Sequence, residues 1–197
     1  MLPKDIDPES RCRLPNVKRD DMDAEGQALY DQVANPTGIN IRGMRGPGGI
    51  GLHSPRLAKV SRPVNRYLRQ DAGLKPTVRE VAILATARQC DSQFEWAAHE
   101  PEARKVGVSE AVIDIIKHRK STAGLAEPEA FLIDLAREGF GAHKVAPETF
   151  ARGLKQFGAR QLLDIVVLMG NYAATAMLLA TFDMQLDEDQ PPLLPTL

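Results

Sequence analysis

Cysteine is scarce: Cys12 and Cys90 are the only two in 197 residues, and no paired spacing relates them. A disulfide framework is therefore not expected, and a reduced, cytoplasmic setting is. A charge excess is missing as well. Lys plus Arg number 25 against 26 for Asp plus Glu, a net charge of -1, so no broad field is available to draw in a polyphosphate backbone and nucleic acid is not an expected partner. The opening stretch "MLPKDIDPESRCRLP" lacks the apolar core of a signal peptide. No internal repeat is evident, and no segment shows sustained period-two alternation, which leaves strands without a place. The glycine-rich "GPGGIG" has neither the Gly-Lys-Ser/Thr of a phosphate loop nor the preceding strand of a dinucleotide fingerprint, so nucleotide binding is not expected.

Against these absences stand 43% hydrophobic and 26% charged residues, which suit one globular domain able to bury a core. We place it at residues 21–184, with a Pro- and charge-rich arm at 1–20 and a tail at 185–197. Helical signals fill the domain, and the expected fold class is all-α. "DMDAEGQALYDQVA" is amphipathic and stops before Asn35-Pro36. Ser54-Pro55 opens a helix that Pro63 should kink or split. Thr77-x-x-Glu80 and Ser92-x-x-Glu95 have the form of capping boxes, and Gly107 is a stop signal. Further helices fit residues 110–120, 127–138 and 147–157. "LLDIVVLMGNYAATAMLLA", residues 162–180, is about as long as a membrane span. Asp164, Asn171 and Tyr172 within it favour a helix buried in a core or between subunits, so no membrane partner is expected. The loop from Pro36 to His53 reads as a surface loop, or as a lid carrying Arg42 or Arg45 to an anion.

Candidate chemistry centres on "CDSQFEWAAHE". Glu95 and His99 are four apart and share a helix face, with Phe94 and Trp96 nearby as an apolar wall. A carboxylate beside an imidazole strengthens its hold on a proton and fixes its tautomer, as acid/base work near neutral pH requires. The same Glu95 also fits as a plain capping-box residue, and that reading stays open. A metal would need a third ligand from His53, His118 or His143, which no motif places, so no metal is expected. Cys90 is a lone thiol without a resolving partner.

Residues 79 to 116, "REVAILATARQCDSQFEWAAHEPEARKVGVSEAVIDII", resemble the core motif of the carboxymuconolactone decarboxylase family, which includes the alkylhydroperoxidase D-like proteins. The resemblance implies an alkylhydroperoxidase D-like helical bundle and a homo-oligomer, trimeric or hexameric. In the peroxidase branch a Cys-x-x-Cys precedes the histidine; here Ser92 and Glu95 occupy those positions, so dithiol peroxide reduction is not expected. The resemblance to the decarboxylase branch implies a cofactor-free reaction on a small carboxylated lactone or related metabolite. In that expectation His99, oriented by Glu95, donates a proton, and Glu80 is a second acid/base or orienting group. Ser92, Trp96 and Tyr172 would contact the substrate, and Arg42, Arg45 or Arg79 would hold its carboxylate. The alternatives are a peroxidase-related protein without the dithiol and a non-catalytic oligomeric binding protein.

Overall fold

Prolines and short polar caps decide where the helices begin. The computed structural model describes residues 2–35 and 41–195. Asp23 caps α1 (Ala24–Ala34) by accepting from the Gly26 N–H. Prolines occupy the first turn of α2 (Pro47–Gly51), α3 (Pro55–Arg66), α4 (Pro76–Gln89) and α8 (Pro147–Thr181), where the missing N–H costs nothing. Ser92 and Ser109 cap α5 (Gln93–Lys105) and α6 (Glu110–Lys117) through their hydroxyls. α7 (Glu129–Ala136) completes the set. Among the described residues there is no strand, and the chain is all-α as expected.

Several details depart from the sequence reading. Pro63 does not split α3; it lies on an exposed side, and the helix runs on into a π-helical stretch, Tyr67–Asp71. The glycine-rich segment, expected to be loop, contains α2; its Pro36–Asn40 part lies outside the described residues. The Thr77–Glu80 capping box does not form, because α4 begins at Pro76 with Lys75 as its N-cap, which puts Thr77 inside the helix, and Glu80 is turned into the core. At α5 half of the box forms: Ser92 Oγ accepts from the Glu95 N–H at 3.4 Å, while the Glu95 side chain is buried. Gly107 is the left-handed stop the sequence suggested, with φ 95°.

α4 is the centre of the molecule. Apart from Arg79 and its two ends it is buried all round, and α5, α6, α7 and α8 pack against it. A helix apolar on every side belongs in a core. Its Val81, Ile83 and Leu84 meet Trp96, Ile113, Phe131, Leu132, Ile165 and Leu168 in one cluster. α8 is broken at Gly158 (φ 68°, ψ 169°), which divides it where the sequence had divided two helices. By length and composition α8 could cross a membrane, yet one side of it forms part of this core. The arm and tail fold back on their own chain. Arg13 N–H donates to the Phe182 carbonyl, and Leu194 is buried in the main core with its backbone held by the Gln93 amide.

Gly153 fixes the approach of α8 to α7, since a Cβ there would collide with the buried Phe131 ring. Gly153→Val is therefore expected to cost about 1–3 kcal/mol by overpacking, a fall of roughly 3–10 °C in Tm for a chain of this length. Thermal unfolding followed by circular dichroism checks this; an unchanged Tm would contradict the described α7–α8 packing.

Candidate functional site

α4 and α5 form an antiparallel hairpin around the turn at Cys90–Ser92, with Asp91 in the left-handed region (φ 48°). Pairing of the two helices across that turn sets Glu80 against His99, although they are 19 residues apart in sequence. His99 Nδ1 and Glu80 Oε2 are 2.8 Å apart, and both side chains are nearly inaccessible. The other Glu80 oxygen accepts from Arg79 Nε at 3.0 Å, and Arg79 Nη1 donates to the Arg69 carbonyl at 2.8 Å. On the far side of the ring, His99 Nε2 lies 3.7 Å from Glu95 Oε2. Tyr172 of α8 meets the imidazole edge to face, with ring centroids 5.1 Å apart.

These contacts divide the carboxylates into two kinds. Burial works to raise the Glu80 pKa, but the hydrogen bonds and charges of His99 and Arg79 outweigh it and the net shift is downward. Glu80 is thus an ionised carboxylate held against Nδ1 of the ring. Glu95 has no direct hydrogen bond to the ring, and its burial pushes its pKa up despite the opposing pull of His99, Arg69 and Arg42. Burial likewise pushes the Tyr172 phenol up, so it stays protonated.

A cavity of about 310 Å³ opens beside this group. Glu95, His99 and Tyr172 form its inner end; Leu57, Phe94 and Leu178 contribute apolar wall. Its size and mixture of apolar wall with a few converging polar groups suit a small organic ligand. Arg42 lines it, but its guanidinium is engaged by Asp187 at 3.2 Å and Gln190 at 2.9 Å of the tail and lies 5.5 Å above the Phe94 ring.

The sequence-derived residues are thus partly gathered and partly dispersed. His99, Glu95, Tyr172 and Arg42 face the cavity, and Glu80 stands directly behind His99. The orienting role expected of Glu95 belongs geometrically to Glu80, because only Glu80 is at hydrogen-bonding distance. Ser92 does not line the cavity; its hydroxyl caps α5. Trp96 is fully buried in the core cluster, away from the cavity, and its indole N–H has no hydrogen-bond partner among the described residues. Arg45 is half exposed, ion-paired with Asp187 and off the cavity wall, and Arg79 is committed to Glu80. Sequence reasoning missed Arg62. It lines the cavity from α3, is partly desolvated, and has no ion-pair or hydrogen-bond partner among the described residues. Only its place one turn before the helix end hinted at anything, and surface arginines share that feature.

Cys90 sits at the C-terminal cap of α4, where desolvation and then the Asp91 carboxylate push its thiol up. That is the opposite of what a peroxide-reducing thiolate needs. His53 contacts the Pro15 carbonyl, and His118 lies near Asp114, both apart from His99.

The buried Glu80–His99 contact, carried on a Glu-x-x-x-His helix, falls within a recognisable family segment. Residues 55–133 match the model of the carboxymuconolactone decarboxylase family. No curated protein and no solved structure matches the chain. The family segment runs from the start of α3 into α7 and supplies Arg62, Glu80, Glu95 and His99, while Arg42 and Tyr172 reach the cavity from outside it. The matched segment has no Cys-x-x-Cys: Ser92 and Glu95 stand at the two positions.

The raised Glu95 pKa has a thermodynamic consequence. The folded chain holds that proton more tightly than the unfolded one, so the stability linked to it is full below the ordinary carboxyl range and is lost as pH rises towards the folded value. Glu95→Gln removes this loss. The Tm advantage of the variant over the wild-type chain is expected to be larger at pH 8 than at pH 4, by scanning calorimetry; an equal difference at both would show that Glu95 titrates normally.

Proposed function

We propose that this carboxymuconolactone decarboxylase family protein is a cofactor-free acid/base enzyme that acts on a small carboxylated, unsaturated lactone or a related metabolite and removes CO2 from it. The observation that carries this reading is the imidazole clamped at Nδ1 by an ionised, buried Glu80, with Nε2 turned towards a protonatable Glu95 on the wall of a mostly apolar cavity.

Loss of CO2 breaks the bond between the carboxylate and its carbon. The electron pair passes into the conjugated lactone, and a proton must then be delivered to carbon. In this reading Glu95 delivers that proton, since burial raises its pKa and favours its protonated form. His99 then restores it: Nε2 takes a proton from water and passes it to Glu95, while Glu80 stabilises the transient imidazolium through Nδ1. Tyr172, held protonated, is available to hydrogen-bond the lactone carbonyl, and Arg62 offers its guanidinium to the anionic group. The apolar walls exclude water, which strengthens each of these interactions. The Cys90 environment disfavours the peroxidase-related alternative, and a cavity reaching His99 gives a purely structural role little support.

The test is a panel of unsaturated lactone carboxylic acids assayed for CO2 release. A substrate in the panel is expected to be turned over by the wild-type chain, and His99→Gln to lower kcat by about 10²–10⁴-fold, the usual contribution of one acid/base group, with the helical circular dichroism spectrum retained. Glu80→Gln keeps the shape but not the charge behind the ring, and should reduce kcat while leaving KM little changed. Full activity of His99→Gln on the substrate overturns the assignment.

A further inference from the structure

The chain beyond α8 passes the rim of the cavity between two anchors. At the first, the Arg11 guanidinium donates to the Leu186 carbonyl through Nε at 3.1 Å and Nη2 at 2.6 Å, and the Gln185 N–H donates to the Arg11 carbonyl. At the second, the Leu193 and Leu194 N–H groups both donate to Gln93 Oε1, Gln93 Nε2 donates to the Leu194 carbonyl, and the Leu194 side chain is buried in the main core. Pro191 and Pro192, each with a fixed φ, stiffen the span between the anchors.

That span grips Arg42. Arg42 Nη1 donates to Asp187 Oδ2 at 3.2 Å and Nη2 to Gln190 Oε1 at 2.9 Å, while Arg45 Nη1 donates to Asp187 Oδ1 at 2.9 Å. The Phe94 ring supports the guanidinium, whose carbon lies 5.5 Å from the ring centroid. Three successive residues at the start of α5 thus serve one construction: Gln93 anchors the tail, Phe94 backs Arg42, and Glu95 supplies the carboxyl at the inner end of the cavity.

An exposed surface ion pair contributes little. This one differs in two respects. The Arg42 side chain is only 24% exposed and lines the cavity, so its position bears on whatever enters. Asp187 is also shared between two guanidinium groups, so the cluster of Arg42, Arg45 and Asp187 holds two cations to one carboxylate and stays positive. A guanidinium carries five N–H donors in a rigid fork, and bonds from Nη1 and Nη2 to the tail still allow it to take a carboxylate. An arginine without such a grip spreads over many rotamers and has to be immobilised when an anion binds.

We propose that Asp187 is a positioning residue for the cavity: from the tail it holds the Arg42 guanidinium at the rim, ready for the carboxylate of a small ligand. Asp187 acts through Arg42 and does not touch the ligand. The inference rests on the reading that the ligand is a carboxylate, and it is tested by binding, without CO2 release. The sign of the effect separates positioning from simple charge. Deleting Asp187 makes the rim more positive, so if the aspartate were only a competing anion its loss would tighten the binding of a carboxylate; if it positions Arg42, its loss weakens it.

The probes are 2-furoate, a flat unsaturated five-membered oxygen ring with one carboxylate, and its methyl ester, titrated into the full chain by calorimetry. The wild-type chain is expected to bind furoate more tightly than the ester. Asp187→Ala should weaken furoate roughly 3–10-fold, the net worth of about one hydrogen bond, and leave the ester unchanged; Asp187→Glu should restore furoate binding. Arg45→Ala, which removes a positive charge but leaves Asp187 to Arg42, and Glu188→Ala, which removes a neighbouring tail carboxylate, should both bind furoate as the wild type does. In an Arg42→Ala background, Asp187→Ala should have no further effect. Should Asp187→Ala alter the circular dichroism spectrum, Gln190→Ala, which removes one bond to Arg42 and no charge, must weaken furoate in its place. Unchanged or tighter furoate binding by Asp187→Ala, an equal loss for the ester, additive effects in the double variant, or a wild-type chain that does not prefer furoate to the ester would each overturn the proposal. Failure here leaves the CO2 assay untouched, and a furoate preference that follows Asp187 survives a panel in which no acid loses CO2.

Discussion

The contact between Glu80 and His99 organises the interior of this protein. Burying a carboxylate in a helix packed on every side is costly, and a lone charge there would be neutralised or expelled. Glu80 escapes this because both of its oxygens are occupied, one by the imidazole and the other by the Arg79 guanidinium. That requirement fixes the register of α4 against α5. A slip of one helix along the other would take the imidazole away from Glu80 Oε2 and leave that oxygen buried without its partner.

With the register fixed, the two faces of the histidine acquire different surroundings. The Nδ1 side is closed by a fully engaged carboxylate, and the Nε2 side opens on a carboxyl whose burial keeps its proton and on a cavity walled by α3, α5 and α8. The same residue type thus takes opposite electrostatic character at two positions, through its neighbours alone. Position 95 carries a carboxyl, which cannot serve as a redox thiol.

One helix carries two different faces. The buried side of α8 delivers Tyr172 to the imidazole, and its exposed side carries an apolar stripe with a glycine at its middle. Both follow from the 3.6-residue period, which separates two stripes on a single apolar segment. The tail beyond α8 returns to Arg42, Arg45 and Gln93, which ties the loop before α2 and the start of α5 to the end of the chain.

Much of the helical layout was legible in sequence, because its signals are local. Prolines at first turns, the serine caps of α5 and α6 and Gly107 act over three or four residues, and the break in α8 falls at Gly158 between two segments already read as separate helices. The pairing of Glu95 with His99 on one helix was legible for the same reason. What the sequence could not convey was which carboxylate would hold the ring. Glu95 is four residues from His99 and Glu80 is 19, yet Glu80 is the one in contact, since helix packing sets that distance and chain separation does not. Trp96 and Ser92, adjacent in sequence to the site, were carried away from it by the 100° turn per residue. Arg62 was brought to the cavity by the docking of α3 across α8. The sequence alone determined an all-helical chain with Glu95 and His99 side by side on one helix, because propensity, capping and period are short-range. Tertiary structure decided the direction in which each carboxyl's pKa moves and the cavity beside them, because burial and long-range contact exist only once the helices have packed.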